Sequence, residues 1–95
     1  MIIFKTNMGS FSIELDFEKA PITSANFLQY ARDDFYTGTV FHRVINGFMV
    51  QGGGMDSDMN QKTGNAPIEN EADNGLQNVI GSLAMARTGD PHSAS

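Results

Sequence analysis

Within the run Val40 to Gly54, VFHRVINGFMVQGGG, four side chains stand at a spacing that could do chemistry: Arg43, Phe48, Met49 and Gln51. The phenyl ring and the thioether can wall a small apolar pocket. The guanidinium and the carboxamide can supply hydrogen bonds beside it. The elements that must hold them are short strands. Val40, His42 and Val44 alternate with Phe41, Arg43 and Ile45, so one strand carries the arginine on one face and the histidine on the other. Asn46-Gly47 then predicts a two-residue hairpin turn, because both residues tolerate positive φ. The return run Phe48-Met49-Val50-Gln51 ends at three glycines. Two short paired strands give a rigid mount for a site. The plain alternative for the same run is an apolar β-hairpin with one arginine on its surface.

As they stand, Phe41-His42-Arg43-Val44-Ile45, Gly47-Phe48-Met49 and Gln51-Gly52-Gly53 closely resemble the signature of the cyclophilins, the peptidyl-prolyl cis-trans isomerases. The flanks agree: Ala20-Pro21, Asn26-Phe27, Tyr30 and Phe35-Tyr36 match what that family shows just before its central signature. Ile68-Glu69-Asn70-Glu71 and Asn74-Gly75-Leu76 look like its bacterial members, in which this segment is a structured surface loop. The resemblance implies a mainly β fold with one α-helix here, part of an antiparallel β-barrel.

The reaction it implies is rotation about an X–Pro amide, assisting protein folding. The barrier comes from amide resonance and is ~18–20 kcal/mol. Such a reaction needs an apolar pocket for the pyrrolidine ring and a donor that favours the twisted amide over the planar one. It calls for no cofactor and no metal. The resemblance assigns the catalytic donor to Arg43, whose charge persists at any working pH. It gives Phe48 and Met49 to the proline pocket, and Gln51 to holding the substrate backbone and orienting Arg43. His42, turned away by the alternation, is expected to be structural. The implied partners are proline-containing peptides, unfolded proteins and cyclosporin-like ligands.

Composition bounds the rest. Ninety-five residues with 40% hydrophobic content allow one small soluble domain, residues 1–95, with a modest core. A formal charge of -5 and no Lys/Arg cluster argue against nucleic acid or an anionic membrane as partner. The chain has no cysteine, hence no disulfide framework and no zinc-thiolate site, which suits a reducing cytoplasm. MIIFKTNMG lacks a charged leader followed by a long apolar run, so no signal peptide is expected, and no apolar stretch approaches the ~20 residues of a membrane span.

Residues 1–17 read as two strands with Met8-Gly9 at the turn, the second alternating Phe11, Ile13, Leu15 against Ser12, Glu14, Asp16. Glu14, Asp16 and Glu18 then fall on one solvated face. Ala20-Pro21 opens a helix whose early N–H groups Thr23 or Ser24 can satisfy. Its apolar face is Ile22, Ala25, Leu28 and Ala31, bordered by Phe27 and Tyr30, and it stops near Asp33-Asp34. From Gly52 to Asn78 periodicity is lost. Asp56-Ser57-Asp58-Met59-Asn60 opens like a calcium loop but continues with Gln61 and Pro67 where glycine and glutamate are needed. Gly52-Gly53-Gly54 lacks the Gly-Lys-Ser/Thr of a phosphate cradle, so close backbone packing explains it better.

Ile80 to Arg87, IGSLAMAR, reads as the last strand. By the resemblance its end runs past the substrate, and Ala86, Arg87 and Thr88 bind the peptide through backbone groups, a device indifferent to side chains around the proline. The resemblance covers this whole chain but roughly three-fifths of a cyclophilin domain. It implies that further strands, a second helix and the rest of the proline pocket are absent here. The expected consequences are open strand edges, an incompletely walled site, and homo-oligomers that cover the edges. Three readings follow: an active isomerase, a proline-peptide-binding module with little turnover, and an assembly piece that pairs through its edges.

Overall fold

The computed structural model describes residues 2–95. Alternation sets the first element. Ile2–Thr6 (β1) pairs antiparallel with Gly9–Ile13 (β2), and the two-residue link is Asn7-Met8, one position earlier than the sequence suggests. Thr6 closes the turn, its hydroxyl donating to the Gly9 carbonyl at 2.6 Å and accepting the Met8 N–H at 3.1 Å. Phe4 lies opposite Phe11, their rings stacked at 5.3 Å, and Phe27 stacks on Phe4 at 5.9 Å. The second strand ends at Ile13, so Leu15 lies beyond it and is only half-buried. What stops the strand is Asp16. Its Oδ1 accepts the N–H groups of Glu18 and Lys19 at 3.1 and 2.9 Å, turning the chain toward the helix.

The helix, Pro21–Arg32 (α1), begins and ends close to where the sequence places it. Its caps differ from expectation at both ends. Ala20 stands at the N-cap position with no side-chain acceptor. Proline at the first position leaves no N–H there, so the orphan donors are Ile22 and Thr23. Both donate to the Glu71 carboxylate, at 3.1 and 2.6 Å, from 49 and 48 residues away. Ser24 does not cap; its hydroxyl donates to the Asp16 carbonyl at 3.1 Å. At the other end Asp34 takes a left-handed φ of 58°. Phe35 N–H donates to Tyr30 at 3.0 Å and Asp34 N–H to Ala31 at 3.3 Å, the paired bonds of a Schellman motif. The contact that usually accompanies it is the Tyr30–Phe35 ring pair at 4.6 Å. The stop is therefore a backbone device, and the acidic residues contribute through Asp34's tolerance of positive φ.

The buried face of α1 is rotated from the expected one. Ser24 and Tyr30 are the buried residues, at 3% and 6% exposure, with Phe27, Leu28 and Ala31 half-buried, whereas Ile22 and Ala25 face solvent. Hydrogen bonding explains the choice. The Ser24 hydroxyl has the Asp16 carbonyl, and the Tyr30 hydroxyl accepts the Asn65 N–H at 2.8 Å, so neither polar group is stranded.

Thr39–Ile45 (β3) and Met49–Asp56 (β4) form the second antiparallel pair. The glycines do not end β4, which runs through them to Asp56. Close packing accounts for two of the three. A Cβ on Gly52 would stand 2.7 Å from the Phe41 ring, and one on Gly53, where φ is 91°, would stand 2.9 Å from the Tyr36 ring. Beyond β4 the Asp56 carboxylate accepts the N–H groups of Asp58 and Asn60 at 2.9 and 3.0 Å, making a turn where the sequence mimics a calcium loop. Met55 then bridges to Gln61.

The protein divides into two compact units, Met1–Gln29 with Ala66–Ser95, and Tyr30–Asn65. In the first lie the β1–β2 sheet, the start of α1 and the Glu71 clamp. Asn74 adds to that clamp by donating to the Lys19 carbonyl at 3.0 Å, from a 3-10 turn at Ala72–Asn74. In the second lie the β3–β4 sheet and the aromatic group Tyr30, Phe35 and Tyr36, with the Lys62 ammonium 4.5 Å over the Phe35 ring and donating to the Phe35 carbonyl. The architecture is mainly β with one helix. Among the described residues the antiparallel sheets have two strands each and do not close into a barrel.

Ile80–Arg87 is not a strand. The backbone turns at Val79–Ser82, with Ser82 N–H donating to the Val79 carbonyl at 3.0 Å and Gly81 at φ 86°, and residues 82–88 are irregular. Alternation and small side chains suit a strand, but a strand needs a partner for its N–H and C=O groups. Among the described residues none pairs with this segment, and Ile80 is fully exposed.

Candidate functional site

The hairpin is built around one register. Arg43 lies opposite Gln51, Val44 opposite Val50, and Ile45 opposite Met49. With side chains alternating along each strand, Arg43, Ile45, Met49 and Gln51 share one face and Val44 and Val50 the other. Ile45, Met49 and Gln51 are half-buried, and Arg43 is exposed beside them. The result is a guanidinium and a carboxamide in direct cross-strand opposition, flanked by two apolar side chains.

The turn differs from the expected one. The pairing of Ile45 with Met49 leaves three loop residues, Asn46, Gly47 and Phe48. Phe48 N–H donates to the Ile45 carbonyl at 3.0 Å, and only Gly47 takes positive φ, at 74°. That is the type II pattern, with glycine at the third turn position, and not the two-residue turn with both residues left-handed. Phe48 therefore sits in the loop, outside the strand, and is 79% exposed.

Toward the start of β3 the ladder slips between Phe41 and Arg43, so that Phe41 faces Gly52. A bulge here breaks strict alternation at His42. Its Nδ1 is buried and finds no hydrogen-bond partner among the described residues. Such slips re-aim neighbouring side chains, and this one adjoins Arg43 directly.

Ala86, Arg87 and Thr88 lie in the other compact unit, exposed and on irregular backbone. Their polar groups are used locally. Arg87 donates from a guanidinium nitrogen to the Thr88 carbonyl at 3.0 Å, and Thr88 N–H donates to the Ser93 hydroxyl at 2.9 Å. The hairpin brings Arg43, Met49 and Gln51 to one face and Phe48 to its tip, while residues 86–88 do not belong to that hairpin.

Glu71 is the structural group that reading the sequence missed. Partial burial alone would raise its pKa, but the N–H groups of Thr23 and Ile22 outweigh that and hold the carboxyl below its ordinary value. The available signal was negative: a helix start at Ala20-Pro21-Ile22 with no capping group of its own needs an acceptor from elsewhere.

Comparison with known proteins places these features in context. A family profile described as cyclophilin type peptidyl-prolyl cis-trans isomerase/CLD matches residues 1–95. The chain is 57% identical over 95 residues to peptidyl-prolyl cis-trans isomerase B of Escherichia coli (strain K12), covering all of this chain and 58% of that protein. It is 55% identical over 95 residues to a peptidyl-prolyl cis-trans isomerase of Acinetobacter baylyi, covering 100% of this chain and 50% of the relative. Peptidyl-prolyl cis-trans isomerase A of Dickeya dadantii is 52% identical over 94 residues, 99% of this chain and 50% of its own. The chain thus spans between half and three-fifths of the length of these curated relatives. With a profile match over residues 1–95 behind the Arg43–Gln51 hairpin, this chain belongs to the cyclophilin-type peptidyl-prolyl cis-trans isomerase family.

Proposed function

We propose that these 95 residues carry the arginine-bearing wall of a peptidyl-prolyl isomerase site, and bind proline-containing peptides and unfolded proteins with little or no turnover of their own. The reading rests on one observation: Arg43 stands opposite Gln51 on an exposed two-stranded hairpin. In it the guanidinium donates to the proline nitrogen as its lone pair localises, or to the adjoining carbonyl. Gln51 holds the substrate backbone and orients Arg43, and Phe48 and Met49 receive the pyrrolidine ring. A site walled on one side does not exclude water or fix the ring, so binding outruns catalysis. Separately from the hairpin, the backbone of residues 86–88 can pair with an extended peptide once Thr88 N–H is released from Ser93. Cyclosporin-like ligands would use the same hairpin face, and the lack of cysteine suits a cytoplasmic setting.

The test is a titration of the isotope-labelled protein with a short X–Pro peptide, followed by amide shifts. The reading expects shifts concentrated at Arg43 and Phe48–Gln51. Shifts confined to β1–β2, or none at saturating peptide, would overturn it.

A second reading is supported by the opposite face. Val44 and Val50 form a cross-strand apolar pair left 67% and 59% exposed. Such a face, with open strand edges, favours pairing with a second copy. Light scattering over a dilution series checks it: mass that stays at one copy at every concentration excludes self-association.

A further inference from the structure

The sequence holds two Asn-Gly dipeptides, Asn46-Gly47 and Asn74-Gly75, and the structure treats them differently. Asn74 is tied at both ends of its carboxamide. Its Oδ1 accepts the Leu76 N–H at 3.0 Å and its Nδ2 donates to the Lys19 carbonyl at 3.0 Å. Asn46 is exposed at the hairpin tip, and among the described residues no hydrogen bond engages its carboxamide. The nitrogen that follows it belongs to Gly47, which has no Cβ to shield it and sits at φ 74° in an exposed turn. The six other asparagines precede residues that carry a side chain.

We infer that Asn46-Gly47 is a self-modification site, at which the protein deamidates to aspartate and isoaspartate while Asn74-Gly75 is protected by the fold. The Gly47 backbone nitrogen, having lost its proton, attacks Asn46 Cγ. A C–N bond forms, the Cγ–Nδ2 bond of the carboxamide breaks, and ammonia leaves with the proton. Water then opens the cyclic imide at either carbonyl, giving aspartate or isoaspartate. No oxidant, metal or enzyme enters the balance. The product bears directly on the hairpin. Isoaspartate adds one backbone carbon to the Asn46–Phe48 loop, whose length sets the pairing of Ile45 with Met49 and, two residues on, of Arg43 with Gln51. Either product also adds a negative charge at the tip. The inference does not depend on the proposed reaction.

The purified protein is incubated at mildly alkaline pH, sampled over weeks, digested with trypsin and mapped by mass spectrometry. Cleavage after Arg43, Lys62 and Arg87 places the two dipeptides on separate peptides. In the native protein Asn46 should lose its amide roughly ten- to a hundredfold faster than Asn74, the factor that two additional hydrogen bonds impose. In denaturant the two rates should converge, because the protecting bonds are gone. Equal native rates, or faster loss at Asn74, would overturn the inference. So would a native difference that persists unchanged in denaturant, since neighbouring sequence and not the fold would then set it.

Discussion

Replacing Glu71 should loosen the start of α1 from a point 48 residues away in sequence. The carboxylate accepts two backbone N–H groups, Thr23 at 2.6 Å and Ile22 at 3.1 Å, at the positive end of the helix dipole. A hydrogen bond to a charged group contributes ~1.5–3 kcal/mol, and losing an N-cap costs ~0.5–2 kcal/mol. Glu71 is only half-buried, so solvent screening takes the estimate to the lower end, about 2 kcal/mol for Glu71→Ala and about 1 for Glu71→Gln, which keeps an acceptor without the charge. The assay is amide hydrogen exchange, read at Ile22 and Thr23. Both amides should exchange faster in each variant, by roughly thirtyfold for alanine at about 1.4 kcal/mol per tenfold. The pH dependence has a definite sign. Hydrogen bonds hold the folded carboxyl below its unfolded value, so the protection is complete above the ordinary glutamate range near ~4.3 and is lost as pH falls through the lower folded value. Glu71→Gln should abolish that acid step. Unchanged exchange at Ile22 and Thr23 in Glu71→Ala would refute the clamp, because its carboxylate is the acceptor that both donors share.

Two further expectations concern the unit that carries the hairpin. Gly53→Ala forces a Cβ to 2.9 Å from a Tyr36 ring hemmed by Tyr30 and Phe35, at a φ of 91°, and should cost ~1–3 kcal/mol in urea unfolding, while Gly54→Ala, with open space around it, should be neutral. Burial, with the neighbouring Tyr30 adding to it, pushes the Tyr36 hydroxyl up to about 12 from 10.0. Its contribution is therefore full below the unfolded value and lost as pH rises from about 10 to about 12, a step that Tyr36→Phe should remove from an alkaline unfolding curve.

The sequence was legible where a local pattern and its partner lie close together. Pro21 and the helical spacing place α1, and the alternation from Ile2 to Ile13 places the first sheet. Arg43 and Gln51 were legible as members of one hairpin, but the expected two-residue turn would set Arg43 opposite Val50, and their direct opposition comes from the three-residue loop. It was illegible where the outcome depends on distant groups. Nothing near Pro21 says that Glu71 will cap it. The alternation in Ile80–Arg87 states only that the segment could pair, and whether it does is decided by a partner strand. The turn at Asn46-Gly47 fell between these cases: the dipeptide located the reversal, but neither the three-residue loop nor the slip at His42, where Phe41 lies over Gly52, could be read from it. Leu15 and Leu28 show the same limit, since periodic spacing marked both as core and both are half-buried.

In the proposed reading the Arg43–Gln51 hairpin grips X–Pro peptides, while residues 1–95 by themselves turn them over slowly. Magnetisation exchange between the cis and trans signals of an X–Pro peptide, with stoichiometric protein present, measures both at once. The account predicts shifted peptide signals with interconversion still near the uncatalysed rate, on the order of tens to hundreds of seconds. Any residual acceleration should disappear in Arg43→Ala, since one preorganised donor is worth ~2.7–4 kcal/mol in the transition state. Fast exchange by the dilute monomer, or acceleration that survives Arg43→Ala, would contradict it.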